Sequence, residues 1–198
     1  MKRFVLVTAA PAAAAAMCFG ISTSAAAAEV HGSANVSAQV ALEHKVEQQI
    51  QVLDNTLARV ERASATQRLD AEVRAEVRAS INADQSALAD LHTDVNSAAT
   101  LAEVREVRAE VADYQAAVYV QAVATLNRAE ALQERVDDAR LTVTLSLSAS
   151  GWLDKADAAL DATVDGAATL DATSTHGEVR AVKADLRAAF GAYAEATS

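Results

Sequence analysis

The chain has 198 residues, 52% of them hydrophobic but only 4% aromatic, and its formal net charge at pH 7 is −10. This length suffices for one domain or two small bundles with a core made mainly of Ala, Val and Leu. Phosphate backbones and anionic lipid surfaces repel such a charge, so nucleic acid is not expected as a partner.

Residues 1–28 have the pattern of a secretory signal peptide. Two basic residues precede an apolar run from Phe4, and an alanine run ending at Ala28 precedes the first acidic residue, Glu29. We expect cleavage near Ala28 and therefore a protein that is secreted, extracellular or in the cell envelope. The alternatives are lipidation of Cys18 and a retained N-terminus, and only these two would make a membrane a partner.

Cleavage at that point would remove the only proline, Pro11, and the only cysteine, Cys18. The remaining chain then contains nothing that obliges a helix to break and nothing that forms a disulfide. It has 15 basic side chains against 27 acidic ones, because Lys2 and Arg3 are also lost, which gives a net charge of −12. These properties favour long helices in an acidic protein.

The first helix is predicted over residues 37–63, after a flexible lead-in at 29–36 of small and polar residues. Its apolar residues are spaced by 4, 3, 4 and 3, which is a heptad seam: Val46, Ile50, Leu53, Leu57 and Val60. Ser64 to Gln67 is then predicted to be a turn with a Ser-x-x-Gln cap. A second helix follows and ends by residue 99, with a slowly drifting apolar face: Leu69, Val73, Val77, Ile81, Leu88, Leu91 and Val95.

A capping box, Thr100 with Glu103, predicts the start of a third helix. Its seam is again spaced by 3, 4 and 3: Val104, Val107, Val111 and Tyr114. No glycine or proline follows until Gly151, so we predict one long helix over residues 100–149, about 75 Å in length.

Residues 141–148 alternate apolar and hydroxyl side chains, which is the period of a strand. The only pairing partner would be residues 36–40, and an isolated two-stranded ribbon is marginally stable in water. We therefore favour helix here and keep strand as the alternative.

The last part of the chain, residues 150–198, is predicted to hold two helices. Ser150 and Gly151 mark a break, followed by a helix over 152–171. A second capping box, Thr175 with Glu178, starts a helix that runs to about Ala196. This box is part of a weak internal repeat, because much of 100–111 recurs at 175–186 with an offset of 75 residues.

No catalytic, cofactor-binding or metal-ligating residue is assigned. The four histidines have no second His or Cys at metal-ligand spacing: His31, His44, His92 and His176. Four aspartates form an acidic stripe over 154–165. The segment from Asp161 to Gly166 resembles the start of a calcium loop, but Thr163 and Ala172 occupy positions of that loop that require acids. A solvated helix face is the expected meaning, and we expect neither an enzyme nor a cofactor.

Three stretches, Leu88–Leu91, Thr100–Arg108 and Glu178–Leu186, resemble uncharacterised secreted proteins of high-GC Gram-positive bacteria that are rich in Ala, Arg and Asp. The resemblance implies a signal peptide joined to helices, and it carries no assigned activity.

The sequence therefore predicts an all-α fold: an elongated antiparallel, coiled-coil-like bundle over 37–198, with about five helices and one long central helix. The predicted function is that of an exported, non-catalytic helical protein that associates through its seams with another protein or with itself. The alternative is a holdase-like or lipid-binding amphipathic protein.

Overall fold

The computed structural model describes residues 25–142 and 147–198, and over these ranges the protein is all-α, with seven helices and no strand. The predicted all-α class is confirmed, and five of the helices have 22 residues or more. The helices are α1 (Ala25–Arg62), α2 (Ser64–Arg68), α3 (Ala71–Ser97), α4 (Leu101–Asp113), α5 (Ala117–Thr142), α6 (Leu147–Ala168) and α7 (His176–Thr197).

Helix α1 begins earlier than predicted, at Ala25, so the expected flexible lead-in at 29–36 is wrong. Alanine is the strongest helix former, and the one interruption, Gly32, costs only about 1 kcal/mol relative to alanine. The predicted signal peptide, 1–28, lies outside the described residues except for 25–28, which belong to α1.

The corner after α1 also differs from the prediction. Ser64 is the first residue of α2 rather than its cap, and the N-cap residue, Ala63, makes no side-chain hydrogen bond. The buried Thr66 hydroxyl closes the corner instead, because it donates to the carbonyl of Val60 at 2.6 Å. Leu69 is buried between α2 and α3, and α3 begins at Ala71.

The predicted central helix over 100–149 is present as two successive helices, α4 and α5. The Thr100 capping box forms as predicted, but α4 ends at Asp113 and Tyr114 is extended, with φ −77° and ψ 123°. The cause is a tertiary contact: the Gln115 N–H donates to the carbonyl of Ala172, in the loop between α6 and α7. A backbone N–H bonded there is not available to continue the helix.

Residues 143–146 lie outside the described residues, so the choice between helix and strand is open there. Helix α6 starts at Leu147, and the predicted break at 150–151 is wrong, because Gly151 lies inside the helix. One glycine weakens a helix without ending it. Helix α6 ends at Ala168 rather than at 171, and the second capping box, at Thr175, forms as predicted.

Helices α1, α3 and α4 form one group, which we call the N-terminal group. Helices α1 and α3 are antiparallel: the Gln39 amide donates to the Ala98 carbonyl at one end, and the Gln85 amide donates to Asp54 further along. Helix α4 packs against both.

Helices α5, α6 and α7 form the C-terminal group. Helices α5 and α6 are antiparallel: Arg140 bonds to Asp154 at 2.8 Å, and the Gln133 amide, earlier in α5, donates to Asp157, later in α6. Helices α6 and α7 approach closely, and a Cβ on Gly166 would lie 3.0 Å from Val182. Trp152 packs against this group with the Lys155 ammonium 3.8 Å from its ring centre.

The predicted seams lie inside this fold. Six of their residues are buried in one core that the N-terminal group shares with α5 and with the adjoining ends of α6 and α7: Val46, Ile50, Leu57, Val104, Val107 and Val111. Leu53 and Tyr114 are half-buried against the same core. Most of the seam therefore packs the chain against itself, and Leu53 and Tyr114 are the seam residues that stay partly exposed.

Candidate functional site

Charge is segregated around α1. At about 100° per residue its acids Glu43, Glu47, Asp54 and Glu61 fall within an arc of about 40°. This arc faces α3, where Glu61 lies 3.7 Å from the Arg78 guanidinium. The opposite side of α1, toward α4, carries Lys45. Acids and cations are therefore on different sides of one helix.

Helix α4 has the same segregation. Its buried valines face the core, and Arg105, Arg108 and Ala112 lie on one flank by their spacing. The acids Glu106 and Glu110 lie on the other flank. The arginine flank is the one that borders α1, so the cations of both helices line the same surface.

A groove lies open between α1 and α4 on this surface, with a volume of about 630 Å³. Its floor is apolar: Val52 is 63% exposed, and Leu53 and Tyr114 are half-buried beside it. We call it the basic-edged groove, and its lining is Lys45, Gln48, Gln49, Val52, Leu53, Arg108, Val111, Ala112 and Tyr114.

The charged groups that line the basic-edged groove are both cations, although the chain has a net charge of −10. Over the described ranges, neither the Lys45 ammonium nor the Arg108 guanidinium forms an ion pair. Both remain available to carboxylates from outside the chain, and the apolar floor between them is available for burial.

The end of the groove is shaped by a buried polar cluster that the sequence analysis did not single out. Asp84 of α3 is 8% exposed and accepts two hydrogen bonds on one oxygen, from the Tyr119 hydroxyl at 2.7 Å and from the Ala172 N–H at 2.8 Å. These bonds tie α3, α5 and the loop after α6 together. They hold the segment that contains Tyr114.

Two tyrosine pKa values are raised around this cluster. Burial, followed by the hydrogen bond and the charge of Asp84, raises the pKa of Tyr119 far above its ordinary value. Burial, with smaller contributions from Asp84, Asp171 and Glu110, raises the pKa of Tyr114. Both hydroxyls stay protonated at neutral pH, and the Tyr119 hydroxyl donates its hydrogen bond to Asp84.

The sequence did contain a signal for Asp84. It occupies a position on the apolar face of α3, three residues after Ile81 and four before Leu88, where a leucine or valine would be expected. An acid at a core position of an amphipathic helix indicates a buried polar partner.

The acidic stripe of α6 is divided. Asp154 and Asp157 pair with Arg140, whereas Asp161 and Asp165 line an acid-rich groove against Arg68. The segment that resembled a calcium loop is helical. Among residues 25–142 and 147–198, no group of three or more His, Cys, Asp or Glu side chains is placed to hold a metal ion.

The helices of the same two ranges were also compared with the length and apolarity that a membrane crossing requires, and none of them meets both. A comparison of the chain with protein families, with curated proteins and with solved structures finds no match.

Proposed function

We propose that the protein is exported and acts, without catalysis, by binding an acidic amphipathic helix of another protein molecule in the basic-edged groove. The observation that carries the proposal is the combination of an exposed apolar floor with edges that are only cationic, in a chain that is otherwise acidic. Such a groove has the shape and charge for one class of ligand, a helix with a narrow apolar face and carboxylates on its flanks.

The floor and the edges would have different roles. Covering Val52, which is 63% exposed, contributes about 1.5 kcal/mol through apolar burial. Each exposed carboxylate that pairs with Lys45 or Arg108 contributes less, about 0.2 to 1 kcal/mol. The floor therefore supplies most of the affinity, and the cations select an acidic helix and set its direction.

Binding would also add a helix to the N-terminal group. The core of this group already includes residues of α5, so a helix laid between α1 and α4 would cover the remaining open side. The groove is already formed, so little ordering of the protein would oppose binding.

The binding proposal is tested with a synthetic helical peptide of about 18 residues, long enough for about 27 Å of contact. Its apolar face carries Leu and Ala, and its flanks carry Glu. We expect micromolar binding by calorimetry, a loss of at least about tenfold with K45E/R108E, and a similar loss with Val52→Asp.

The matched control is R180E/R187E on α7, which makes the same charge change at exposed positions away from the groove. It should bind the peptide nearly as well as the unaltered protein. Equal binding of a peptide with Lys in place of Glu, or equal loss in the control variant, would overturn the proposal.

Export rests on the residue pattern of 1–28 and has its own test. The protein is tagged at its C-terminus, producing cells are fractionated, and the product of each fraction is weighed by intact mass spectrometry. Export predicts a product that begins near Glu29 in the medium or the wall fraction. A product confined to the cytoplasm with Met1 retained would contradict it.

A further inference from the structure

The outer face of α6 carries carboxylates that the cations of the basic-edged groove can pair with. Three acids and several small residues share one exposed stripe about 100° wide, at about 100° per residue; the exposed Leu147 also falls on this stripe, and Lys155 lies at its border. The residues of the stripe from 151 to 165, which we call the α6 face, are Gly151, Asp154, Ala158, Asp161, Ala162 and Asp165.

The small residues would allow close contact with another helix pair. A Cβ placed on Gly151 meets no atom within 4 Å, so the surface there is open. Between Asp154 and Asp165 the residues of the α6 face other than the acids are alanines, so the axis of α6 can come nearer to a groove along this line than a helix with long side chains there can.

Two carboxylates of the α6 face are available for intermolecular pairing. Within the described part of the chain, neither Asp161 nor Asp165 forms an ion pair, whereas Asp154 is engaged by Arg140. Asp161 and Asp165 are one helical turn apart, about 6 Å along the axis, so both can approach one groove at the same time.

We propose that the ligand of the basic-edged groove is the α6 face of a second copy of this chain, with Asp161 and Asp165 opposite Lys45 and Arg108. This inference rests on the proposed function, because it names the helix that the groove binds. The two surfaces belong to different parts of the molecule, so the contact is heterologous and each copy retains one unused groove and one unused α6 face. Association therefore continues beyond a dimer.

The net charge of −10 on each copy opposes association, but this repulsion acts over longer distances than the ion pairs at the groove. At physiological ionic strength the Debye length is about 8 Å, so repulsion between distant charges is screened while the contacts at the groove are not. The expected result is weak association, with a dissociation constant of about 10 to 100 μM.

The test uses sedimentation of the purified full chain over a range of concentrations. The unaltered protein should increase in mass beyond two copies. Two variants, K45E/R108E without a functional groove and D161K/D165K without a functional α6 face, should each associate at least about tenfold more weakly. An equimolar mixture of the two should recover association beyond two copies, because the intact groove of one variant pairs with the intact α6 face of the other, and the two charge-reversed surfaces are again opposite in sign.

Two charge-matched controls, R180E/R187E and D94K/E106K, alter exposed positions outside both surfaces and should associate like the unaltered protein. Circular dichroism of every variant confirms folding. Chains that stay monomeric to about 0.5 mM, a mass that stops at a dimer, or a mixture without a complex would each overturn the inference. If the acidic peptide still binds the groove in those cases, the proposed function stands and only its assignment to α6 fails.

Discussion

Helices α4 and α7 start alike and end differently. Each begins with a Thr-x-x-Glu capping box, and the two starts are related by the internal offset of 75 residues. Helix α4 then ends after 13 residues, whereas α7 continues for 22. The start of each helix is encoded locally, and the end of α4 is imposed by the rest of the fold.

The position of the break supports this difference. Tyr114 and Gln115, where α4 has ended, correspond to Ala189 and Phe190 in the middle of α7. Neither Tyr nor Gln stops a helix by itself. What α4 has and α7 lacks is the hydrogen bond from the Gln115 N–H to Ala172, beside the buried carboxylate of Asp84.

The largest expected effect comes from a charge at the same repeat position of each helix. Val111→Asp and Leu186→Asp both bury a carboxylate without a partner, at sites that are 2% and 6% exposed. We expect each to lower the free energy of unfolding by about 3 to 5 kcal/mol in denaturant titrations. The exposed neighbours Ala112→Asp and Arg187→Asp are the controls, and an equal effect there would contradict core placement.

The next largest effect is expected from removing Asp84, which belongs to the contact that distinguishes the end of α4 from α7. Asp84→Ala leaves the Tyr119 hydroxyl and the Ala172 N–H without an acceptor, so the free energy of unfolding should fall by about 2 to 4 kcal/mol. Asp94→Ala, an exposed change on the same helix, should be nearly neutral. Hydrogen exchange at Gln115 should accelerate in the Asp84 variant only. Unchanged exchange would show that the buried cluster does not end α4.

A smaller effect is expected at the two caps, and it should be somewhat larger at Thr175, whose hydroxyl also donates to Glu178 at 2.8 Å. Thr100→Ala and Thr175→Ala each remove the hydroxyl that accepts from the N–H three residues later, at 3.3 Å in both boxes. Each should cost about 1 kcal/mol of stability, with recovery in the Thr→Ser variants, which keep the hydroxyl. A clearly larger loss at Thr100 than at Thr175 would mean that tertiary contacts, and not the local box alone, set one of the helix starts.

The smallest expected effect is on the pH dependence of α7. Hydrogen bonds from the backbone and side chain of Thr175 lower the pKa of Glu178 below its ordinary value of 4.5. A pKa that is lower in the folded state gives stability that is complete above 4.5 and lost as the pH falls through the folded value. Glu178→Gln should therefore flatten the fall in stability below pH 4.5, and a carboxyl titration by NMR checks the direction of the shift.

The elements that could be predicted from the sequence are those set by neighbours in the chain. The capping boxes at Thr100 and Thr175 need four residues each, and the seam residues from Val46 to Leu57 need only a period. Both were found where predicted. The all-α class followed in the same way.

The missed features depend on partners far away in the sequence. The end of α4 needs the carbonyl of Ala172, and the corner at Thr66 needs the carbonyl of Val60 within a buried turn. At Gly151 a local feature was given too much weight. A glycine costs a helix only about 1 kcal/mol, and α6 continues through it although a break was predicted there.

The basic-edged groove belongs to the same class. No local sequence pattern marks Lys45 or Arg108. They line one groove only because α1 and α4 pack side by side. Association was predicted for the seams, because they carry the strongest periodic signal in the sequence. The fold buries most of these residues and leaves a less regular flank exposed, with Leu53 and Tyr114 at its edge.

Trp152 has a practical consequence. It is the only tryptophan of the chain and packs in the C-terminal group beneath the Lys155 ammonium. Its emission therefore reports the melting of one group, whereas far-ultraviolet circular dichroism reports every helix. Coincident curves would identify a single cooperative unit, and separated curves would identify two. The single indole ring therefore allows unfolding of the C-terminal group to be followed without an added label and compared with unfolding of the whole chain.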